Sequence, residues 1–394
     1  MSAARDVLAV DLDGTLIASD MLHESFWATL GRDRAQVLKA CGALLTGGKA
    51  ALKAALAGAK VDVARLPYKT EVLDEIRRRR ETGAHVVLAT ASDQALAQAV
   101  ADHLGLFDEV LASDGATNLK GPAKAEALTG AYGDKGFAYA GDATADLPVW
   151  AVAREAIAVD VTPALKARIK TDTVTSVDSA AAPSGRLKAA FKALRPHQWL
   201  KNLLIFIPML LAHDFAAGTI GAAIAAFVAF CLIASSVYVL NDLLDLSADR
   251  AHPRKRLRPF ASGALPLQAG LVMAPGLFVA GIAVGAFAGP LFLGVLVFYY
   301  LCTLAYSLFL KRVTVIDICM LAGLYTLRVI AGAAATMTQP SVWLLGFSIF
   351  FFLALAAVKR QADLGDLVDA GREKAAGRGY LPEDLPLITM MALS

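Results

Sequence analysis

The sequence predicts two fold classes in one chain, a soluble α/β domain followed by an all-α bundle of membrane-spanning helices. Three observations carry this prediction. Of the 394 residues, 57% are hydrophobic, which is more than an ordinary soluble chain contains. The excess begins near residue 199, whereas residues 1–195 hold most of the charge. A carboxylate-rich motif, Asn241–Asp249, directly follows an uncharged apolar run that is long enough to cross a bilayer.

The first predicted strand, Val7–Val10, is apolar and leads into two aspartates and a glycine turn. The aspartates are Asp11 and Asp13, so both carboxylates lie just beyond the carboxyl end of this strand. In open α/β sheets, ligands bind at that edge of the sheet. The sequence therefore predicts a reactive site here.

Four further polar residues follow other predicted strands or begin a predicted helix. They are Thr90 after strand His85–Ala89, Asp142 and Asp146 after strand Ala138–Ala140, and Lys124 at the start of helical stretch Lys124–Leu128. Together with the first two aspartates they supply a nucleophile, a proton-transfer acid, phosphate-binding groups and metal-binding carboxylates. Such a set is typical of phosphoryl transfer.

These motifs, in this order over residues 5–165, resemble those of the haloacid dehalogenase (HAD) superfamily of phosphohydrolases. The resemblance implies a Rossmann-like α/β domain over residues 1–170, with a small helical cap over about residues 18–70. It implies that Asp11 attacks phosphorus to form an aspartyl-phosphate. Asp13 would act first as general acid and then as general base.

The same resemblance implies a magnesium site. The implied residues are Asp11, Asp142 and Asp146 for Mg²⁺, and Thr90 and Lys124 for the phosphoryl oxygens. Two of these assignments have alternatives in the sequence. Ser92 could replace Thr90, and Lys120 could replace Lys124.

Six apolar segments in the second half are candidate membrane spans. They cover about residues 199–217, 220–240, 269–288, 291–310, 313–335 and 342–358. Lys and Arg cluster after the second, fourth and sixth segments, whereas the other loops contain none. By the positive-inside rule, residues 1–198 and the carboxylate motif then face the cytosol. The predicted location is the inner, cytoplasmic membrane.

The stretch 171–195 is predicted to join the two parts as a linker followed by an interfacial helix. Leu187 and Phe191 share a helical face opposite Lys188 and Lys192, a pattern typical of a helix on anionic lipid. The membrane domain is expected over residues 196–394. A seventh apolar segment begins at residue 385, so the chain is expected to end inside a span.

The motif Asn241–Asp249 carries three carboxylates at i, i+3 and i+7. On one continuous helix, Asp242, Asp245 and Asp249 would share a face with Asn241 beside them. Clustered carboxylates attract hard divalent cations, and Mg²⁺ is usually bound by a few carboxylates together with substrate phosphates. The motif therefore predicts a magnesium–diphosphate site at the membrane surface. The alternative is a solvated, charged helix end.

This motif, with Tyr306–Arg312 further along, resembles the UbiA superfamily of intramembrane prenyltransferases over residues 195–394. The second aspartate-rich motif of typical aromatic prenyltransferases is missing, and Asp317 and Arg328 stand in its place. That departure resembles the branch of decaprenyl-phosphate phosphoribosyltransferases. Its members transfer phosphoribose from 5-phosphoribosyl diphosphate to a lipid phosphate, which makes the pentose precursor of cell-wall arabinan.

The resemblance implies a second set of site residues. Mg²⁺ would be bound by Asn241, Asp242, Asp245 and Asp249, and phosphates by Lys201, Arg258, Lys311, Arg328 and Lys359. An arginine inside a span is a functional candidate by default. Arg328 could instead be a structural partner of Asp317 or of backbone carbonyls.

The sequence thus predicts a bifunctional membrane enzyme that uses Mg²⁺, a lipid phosphate and a diphosphate donor. Its hydrolase domain would remove a phosphate monoester, and the lipid-linked product is a candidate substrate. The first alternative is an aromatic prenyltransferase fused to a phosphatase of unrelated substrate. The second is a non-enzymatic lipid-binding or transport module, which would not require two sets of metal-type carboxylates. A net charge of +3 gives no indication of a nucleic-acid partner.

Overall fold

The computed structural model of the protein describes residues 6–56, 58–113, 118–179, 185–369 and 380–393. The chain forms two compact units. One comprises Met1–Ala190 with Asp242–Gly270, and the other comprises Phe191–Asn241 with Leu271–Ser394. The aspartates of the membrane-surface motif therefore belong to the same unit as the N-terminal domain, which the sequence did not predict.

The N-terminal unit is built on a six-stranded parallel sheet with the strand order β3-β2-β1-β4-β5-β6. The strands are β1 (Val7–Val10), β2 (His85–Asp93), β3 (Glu109–Ser113), β4 (Ala138–Gly141), β5 (Glu155–Val159) and β6 (Thr173–Val177). β6 lies inside the stretch 171–195 that the sequence predicted as a linker, and its β-branched residues suit a strand. Residues 180–184 of that stretch lie outside the described residues.

Alternate residues of the central strands are buried in separate hydrophobic cores. Leu8 and Val10 pack into one core, whereas Val7 and Ala9 pack into the other. Burial on both faces is typical of a doubly wound parallel sheet. The Rossmann-like α/β class predicted from the sequence is therefore confirmed.

Helices flank this sheet and form a cap between β1 and β2. They are α1 (Met21–Arg32), α2 (Arg34–Ala55), α3 (Thr70–Glu81), α4 (Gln94–Leu104), α5 (Pro122–Tyr132), α6 (Leu147–Val152) and α7 (Pro163–Lys166). The next helix along the chain is α8 (Arg186–Ala193), at the end of the first unit's N-terminal part. Two adjacent segments connect α1 and α2 to the sheet. The Ala18 amide donates to the Pro67 carbonyl at 2.8 Å, and the Lys69 amide donates to the Leu16 carbonyl at 2.9 Å.

The remaining helices are predominantly apolar. They are α9 (Ile207–Ala212), α10 (Ala217–Leu244), α11 (Leu246–Ala251), α12 (Leu267–Gly285), α13 (Pro290–Leu308), α14 (Ile316–Thr336), α15 (Val342–Asp369) and α16 (Leu385–Leu393). Within the described ranges, five helices are long and apolar enough to cross a membrane. They are Ala217–Leu244, Leu267–Ala288, Pro290–Leu308, Ile316–Thr336 and Val342–Gly365. The predicted multi-pass membrane domain is confirmed.

The first of the six predicted spans, residues 199–217, was wrong as a continuous helix. The chain forms a 3₁₀ helix over Pro196–Phe206, then α9, and the residue after α9, His213, has a left-handed backbone with φ of 53°. Pro208 has no amide hydrogen, and it interrupts the helical hydrogen-bond pattern between the two parts. An apolar composition therefore did not suffice to predict an α-helix here.

The 3₁₀ segment packs directly against α14 in the second unit. A Cβ atom added at Gly332 would lie 2.0 Å from the Ile205 carbonyl oxygen, so a side chain cannot fit there. Gly323 on the same helix has no neighbouring atom within 4 Å of such a Cβ. The two glycines therefore differ in packing but share a helix.

We predict that Gly332→Ala destabilises the protein, because the Ile205 backbone must shift to admit the methyl group. The free energy of unfolding should fall by about 1–3 kcal/mol, as for other overpacked sites. Gly323→Ala is the matched control, and alanine's better helix propensity should leave its stability equal or higher. Thermal unfolding of the two variants in detergent measures the difference. Equal melting temperatures for wild type and Gly332→Ala would contradict the packing described here.

Candidate active sites

The predicted hydrolase site lies at the carboxyl end of β1. The Asp11 amide donates to the Ala140 carbonyl at 3.0 Å, which places Asp11 beside the end of β4. The Asp13 carboxylate accepts one hydrogen bond from the Met21 amide at 2.7 Å and another from the Ser92 hydroxyl at 2.6 Å. Asp13 is therefore fixed between the first residue of α1 and β2.

Lys124 provides the positive charge of this site. Its buried ammonium donates to Asp11 Oδ1 at 2.8 Å and to the Tyr139 hydroxyl at 2.9 Å. The Tyr139 hydroxyl in turn donates to Asp146 Oδ1 at 2.8 Å. The other oxygen of Asp146 accepts from the amides of Asp142 and Ala143 at 3.2 and 3.0 Å. These bonds orient Asp146 and leave Asp11 and Asp142 the more available of the three carboxylates.

Sequence reasoning did not identify Tyr139, although it joins Lys124 to Asp146. It is fully buried on β4, two residues before the turn that carries Asp142. A buried tyrosine usually finds a partner for its hydroxyl group. Its position on a central strand, shortly before Asp142, was the available signal.

Three carboxylates of this site could together bind a cation. Asp11, Asp142 and Asp146 each present an oxygen atom within 4.8 Å of the others. Oxygen ligands of this type suit Mg²⁺, which often uses only one or two protein carboxylates and completes its shell with water and substrate. The donor set therefore fits the predicted metal.

Burial of these carboxylates raises their pKa values. Desolvation raises the pKa of Asp11 to about 6, although Lys124 opposes the shift. Desolvation, together with the negative charges of Asp11 and Asp146, raises the pKa of Asp142 to about 7. Desolvation and neighbouring aspartates likewise raise the pKa of Asp13 to about 7. The site therefore favours either protons or a bound cation, and a pKa near 7 suits Asp13 to proton transfer.

In each pair of alternative phosphate-binding residues, one side chain contacts an aspartate of the hydrolase site. Lys124 contacts Asp11, whereas the Lys120 side chain is exposed. Thr90 is fully buried, and its hydroxyl oxygen accepts from the Ser92 amide at 3.0 Å. Ser92 is the one of the pair that contacts Asp13.

The carboxylate motif of the second predicted site is not one continuous helix. α10 ends at Leu244, Asp245 precedes α11 with φ of −95°, and α11 carries Asp249. The expectation that one continuous helix carries all three carboxylates was therefore wrong. The i, i+3, i+7 spacing applies only while the helix continues, and it stops at the middle aspartate.

Asp242 and Asp249 nevertheless meet at one arginine. Arg258 Nη1 donates to Asp242 at 3.2 Å and to Asp249 at 2.6 Å, and both aspartates are 2% exposed. Burial raises the pKa of Asp249, and the Arg258 charge opposes that shift. Within the described residues, the three motif aspartates do not form a close group of ligand atoms like that of the hydrolase site. The two buried carboxylates are instead neutralised by a guanidinium.

Asn241, the residue before Asp242, contributes an acceptor that fits a cation. Its buried Oδ1 atom has no hydrogen-bond partner among the described residues. An unpaired buried carbonyl oxygen costs free energy, which a bound cation would recover. This observation supports Asn241 as a member of the predicted metal-binding set.

Arg328, predicted as a phosphate-binding residue, makes three side-chain hydrogen bonds inside the second unit. It donates to Asn202 Oδ1 at 2.9 Å, to the Leu324 carbonyl at 2.5 Å and to the Tyr299 hydroxyl at 2.9 Å. The guanidinium also lies over the rings of Tyr299 and Tyr325, at 5.1 and 5.2 Å from their centres. Of its two predicted structural partners, a backbone carbonyl is present and Asp317 is bonded elsewhere.

Asp317 is the centre of a separate buried cluster. It accepts from the hydroxyls of Tyr306 and Tyr380 at 2.6 and 3.0 Å, and it is paired with Arg360. Sequence reasoning chose Lys359 from the Lys-Arg pair, but Lys359 is exposed and Arg360 is 2% exposed. The helical period could have shown this, because Arg360 shares a face with buried residues of α15.

The other predicted cations of the second unit have different surroundings. Lys201 lies over the Tyr325 ring, at 5.8 Å from its centre, and Lys311 is half-buried. Their assignment to phosphate binding stays a prediction.

Comparisons with known proteins agree with this two-part organisation. Residues 8–150 match the model of the haloacid dehalogenase-like hydrolase family, and residues 203–382 match that of the UbiA prenyltransferase family. The matched ranges contain the hydrolase aspartates and the carboxylate motif, respectively.

Individual relatives extend this finding. The chain is 38% identical over 387 residues to an uncharacterized protein, y4nM, of Sinorhizobium fredii, which covers 96% of this chain and 74% of that protein. It is 36% identical to the nodulation protein NoeC of Azorhizobium caulinodans over 52% of this chain and 66% of that one. It is 38% identical to decaprenyl-phosphate phosphoribosyltransferase of Mycolicibacterium smegmatis over 47% of this chain and 60% of that one.

The last two matches cover the membrane half of the chain, and each spans less than two thirds of the relative. The match to y4nM covers nearly the whole chain, so both halves occur together in that relative as well. The protein therefore belongs to the enzymes that join an N-terminal HAD-like hydrolase domain to a UbiA-family membrane transferase domain.

Proposed function

We propose that this protein transfers 5-phosphoribose from phosphoribosyl diphosphate to a polyprenyl phosphate and that its hydrolase domain then removes a phosphate monoester. The observation that carries the first step is the 38% identity of the membrane half to a decaprenyl-phosphate phosphoribosyltransferase. Asp317 supports it too. In place of a second aspartate-rich motif, the chain has only Asp317 at this position. Its carboxylate is paired with Arg360 and accepts hydrogen bonds from two tyrosines.

In the hydrolase domain, we assign Mg²⁺ binding to Asp11 and Asp142, with Asp146 in support. When bound, the ion would neutralise charge on the phosphoryl group and on these carboxylates. Lys124 would hold one phosphoryl oxygen and orient Asp11. Thr90 is assigned to phosphate binding, with Ser92 as the alternative.

The hydrolase reaction then proceeds in two steps on these residues. An Asp11 oxygen attacks phosphorus, the bond from phosphorus to the substrate oxygen breaks, and Asp13 gives its proton to the leaving oxygen. Water next attacks the aspartyl-phosphate while Asp13 takes up the water's proton, which releases phosphate and restores Asp11. The hydrogen bonds from Met21 and Ser92 fix the Asp13 carboxylate for both proton transfers.

For the transferase reaction, we assign Asp242, Asp245, Asp249 and Asn241 to Mg²⁺. The ion would stabilise the charge that develops on the diphosphate leaving group. Arg258, which now neutralises Asp242 and Asp249, would then be free to bind a phosphate. Lys201, Lys311, Arg328 and Lys359 complete the proposed set of phosphate-binding residues.

The substrate of the hydrolase domain follows from the first product. Phosphoribosyl transfer to a lipid phosphate leaves the 5-phosphate on the sugar, and this group is a phosphate monoester. Fusion keeps the hydrolase at the surface where the product forms, which raises its effective concentration. The lipid-linked phosphoribose is therefore the proposed substrate.

We place the hydrolase domain and the carboxylate motif on the cytosolic side of the cytoplasmic membrane. The basic loop over residues 250–258 supports this orientation. Residues 1–190 and 242–270 form one unit, so the chain between them must leave and re-enter the same side. α10 provides one crossing. The 11-residue 3₁₀ segment and the six residues of α9 add up to about 30 Å of helix, enough for the other.

We predict that Lys124→Ala and Asp11→Asn both abolish hydrolysis of an aryl phosphate by the full-length protein. An amide cannot serve as the nucleophile, and loss of Lys124 leaves phosphoryl charge unneutralised. Asp13→Asn should lower the rate by roughly 10²–10⁴, as for loss of a general acid. Lys120→Ala is the matched control and should keep the wild-type rate, because its side chain is exposed. A wild-type rate for Asp11→Asn would refute the assignment of the nucleophile.

We predict that Mg²⁺ stabilises the protein more at high pH than at low pH. The pKa values of Asp13 and Asp142 are raised to about 7, and that of Asp11 to about 6. Protonation of these groups therefore favours the folded state at low pH, and this stabilisation is lost as the pH rises through 6 to 7. A bound cation would replace it at higher pH.

Melting temperatures with Mg²⁺ and with EDTA, compared at about pH 5 and pH 8, measure this effect. The Mg²⁺-dependent increase should be larger at pH 8, and Asp142→Asn should reduce it. An increase of the same size at both pH values would contradict the cation site.

We predict that membranes containing the full-length protein transfer label from phosphoribosyl diphosphate into polyprenyl phosphate. EDTA should stop the reaction, and Asp242→Asn should slow it by roughly 10²–10³, as expected for loss of charge stabilisation in the transition state. Asp214→Asn is the matched control. Asp214 caps the other end of α10, where an asparagine can also accept the Ala216 amide. If label enters lipid only from a prenyl diphosphate with an aromatic acid, the protein is an aromatic prenyltransferase.

A further inference from the structure

A buried ion pair connects the hydrolase cap to the segment that carries the motif aspartates. Arg250, the residue after Asp249, donates to both carboxylate oxygens of Glu24 at 2.7 and 2.8 Å. The two side chains are 8% and 3% exposed. The third donor of Arg250, Nε, bonds to the Ala261 carbonyl at 3.1 Å. Such a bidentate pair fixes both distance and orientation.

A second contact joins the same segment to the cap. Gly263 approaches the connection between the sheet and the cap. A Cβ atom added at Gly263 would lie 2.5 Å from Ala18 Cβ and 3.2 Å from Pro67 Cβ. Its φ of +76° also favours glycine. The segment therefore contacts the cap at Arg250 and also at Gly263.

The cap helix α1 reaches both proposed active sites. Its first residue, Met21, donates its amide to Asp13 of the hydrolase site. Glu24, one turn later, holds Arg250 and also accepts from the Ser19 hydroxyl. Asp13 and Asp249 are thereby linked through a single turn of helix.

The segment with Asp249 depends on outside support. α11 has only six residues, and helices this short are not stable by themselves. Arg250 is one of its residues that contact the cap, and the adjacent Asp249 is held by Arg258. The position of Asp249 therefore depends on where Arg250 is anchored.

We propose that Glu24 and Arg250 are positioning residues for the transferase, because their ion pair anchors the segment that carries the motif aspartates to the hydrolase cap. This inference rests on the proposed transferase function. The cap is thus required for efficient transfer. This requirement does not depend on the hydrolysis that its own domain performs. Loss of the ion pair should raise the Mg²⁺ concentration that transfer needs. It should leave the transfer rate at saturating Mg²⁺ nearly unchanged.

Transfer of labelled phosphoribose into lipid by the full-length protein, measured over a range of Mg²⁺ concentrations, tests the proposal. Glu24→Gln and Arg250→Gln should each raise the half-saturating Mg²⁺ concentration about tenfold, within the range of coupling between sites. The rate at saturating Mg²⁺ should stay within about threefold of wild type. The double variant should resemble either single variant, because the two residues act through one contact.

Glu155→Gln is the matched control, since Glu155 pairs with Arg79 at 2.8 Å in the same unit but away from the motif segment. It should leave the Mg²⁺ dependence unchanged. A merely structural role for Glu24 would lower the amount of active protein without changing the half-saturating Mg²⁺ concentration, and that result overturns the proposal.

Hydrogen–deuterium exchange separates this inference from the proposed reaction. In Glu24→Gln, amides over residues 246–258 should exchange faster than in wild type, and those of β1 should not. Unchanged exchange over residues 246–258 overturns the inference, whatever the activity. Faster exchange in Glu24→Gln, together with no transfer of label by the wild type, would support the anchoring and refute the proposed transferase function.

Discussion

Repulsion between buried carboxylates is the constraint on which both proposed sites depend. In the hydrolase site, three aspartates present oxygens within 4.8 Å of one another, and Lys124 supplies the neighbouring positive charge. In the motif segment, Asp242 and Asp249 meet at Arg258. Buried negative charges are stable only when they are protonated, paired or bound to a cation. The surrounding residues hold each set of carboxylates together, and Lys124 and Arg258 supply the positive charge beside them.

The positions of the hydrolase carboxylates could be predicted because they follow from backbone geometry. Parallel strands that are neighbours in a sheet end at the same edge, so residues just beyond β1 and β4 must be close together. Side-chain networks could not be predicted in this way. Tyr139 joins Lys124 to Asp146 only because β4 and the preceding helix α5 pack so that their side chains meet.

Predictions from local patterns were wrong where the helix on which they relied did not continue. The carboxylate motif has helical spacing, yet the helix breaks at Asp245 and resumes as α11. The first apolar segment was long enough for a span, yet it forms a 3₁₀ helix and a short α-helix. Hydrophobicity and spacing indicate which residues can be buried together. The path of the backbone also depends on tertiary contacts, such as that between Arg250 and Glu24.

The central claim is that one chain adds a phosphorylated sugar to a lipid and then removes the sugar phosphate. Mass spectrometry of the lipid product tests it most directly. Full-length wild type and Asp11→Asn would each be supplied with phosphoribosyl diphosphate, polyprenyl phosphate and Mg²⁺. The account predicts a ribosyl lipid without the 5-phosphate from wild type, and a lipid that keeps this phosphate from Asp11→Asn. A dephosphorylated product from Asp11→Asn would contradict it.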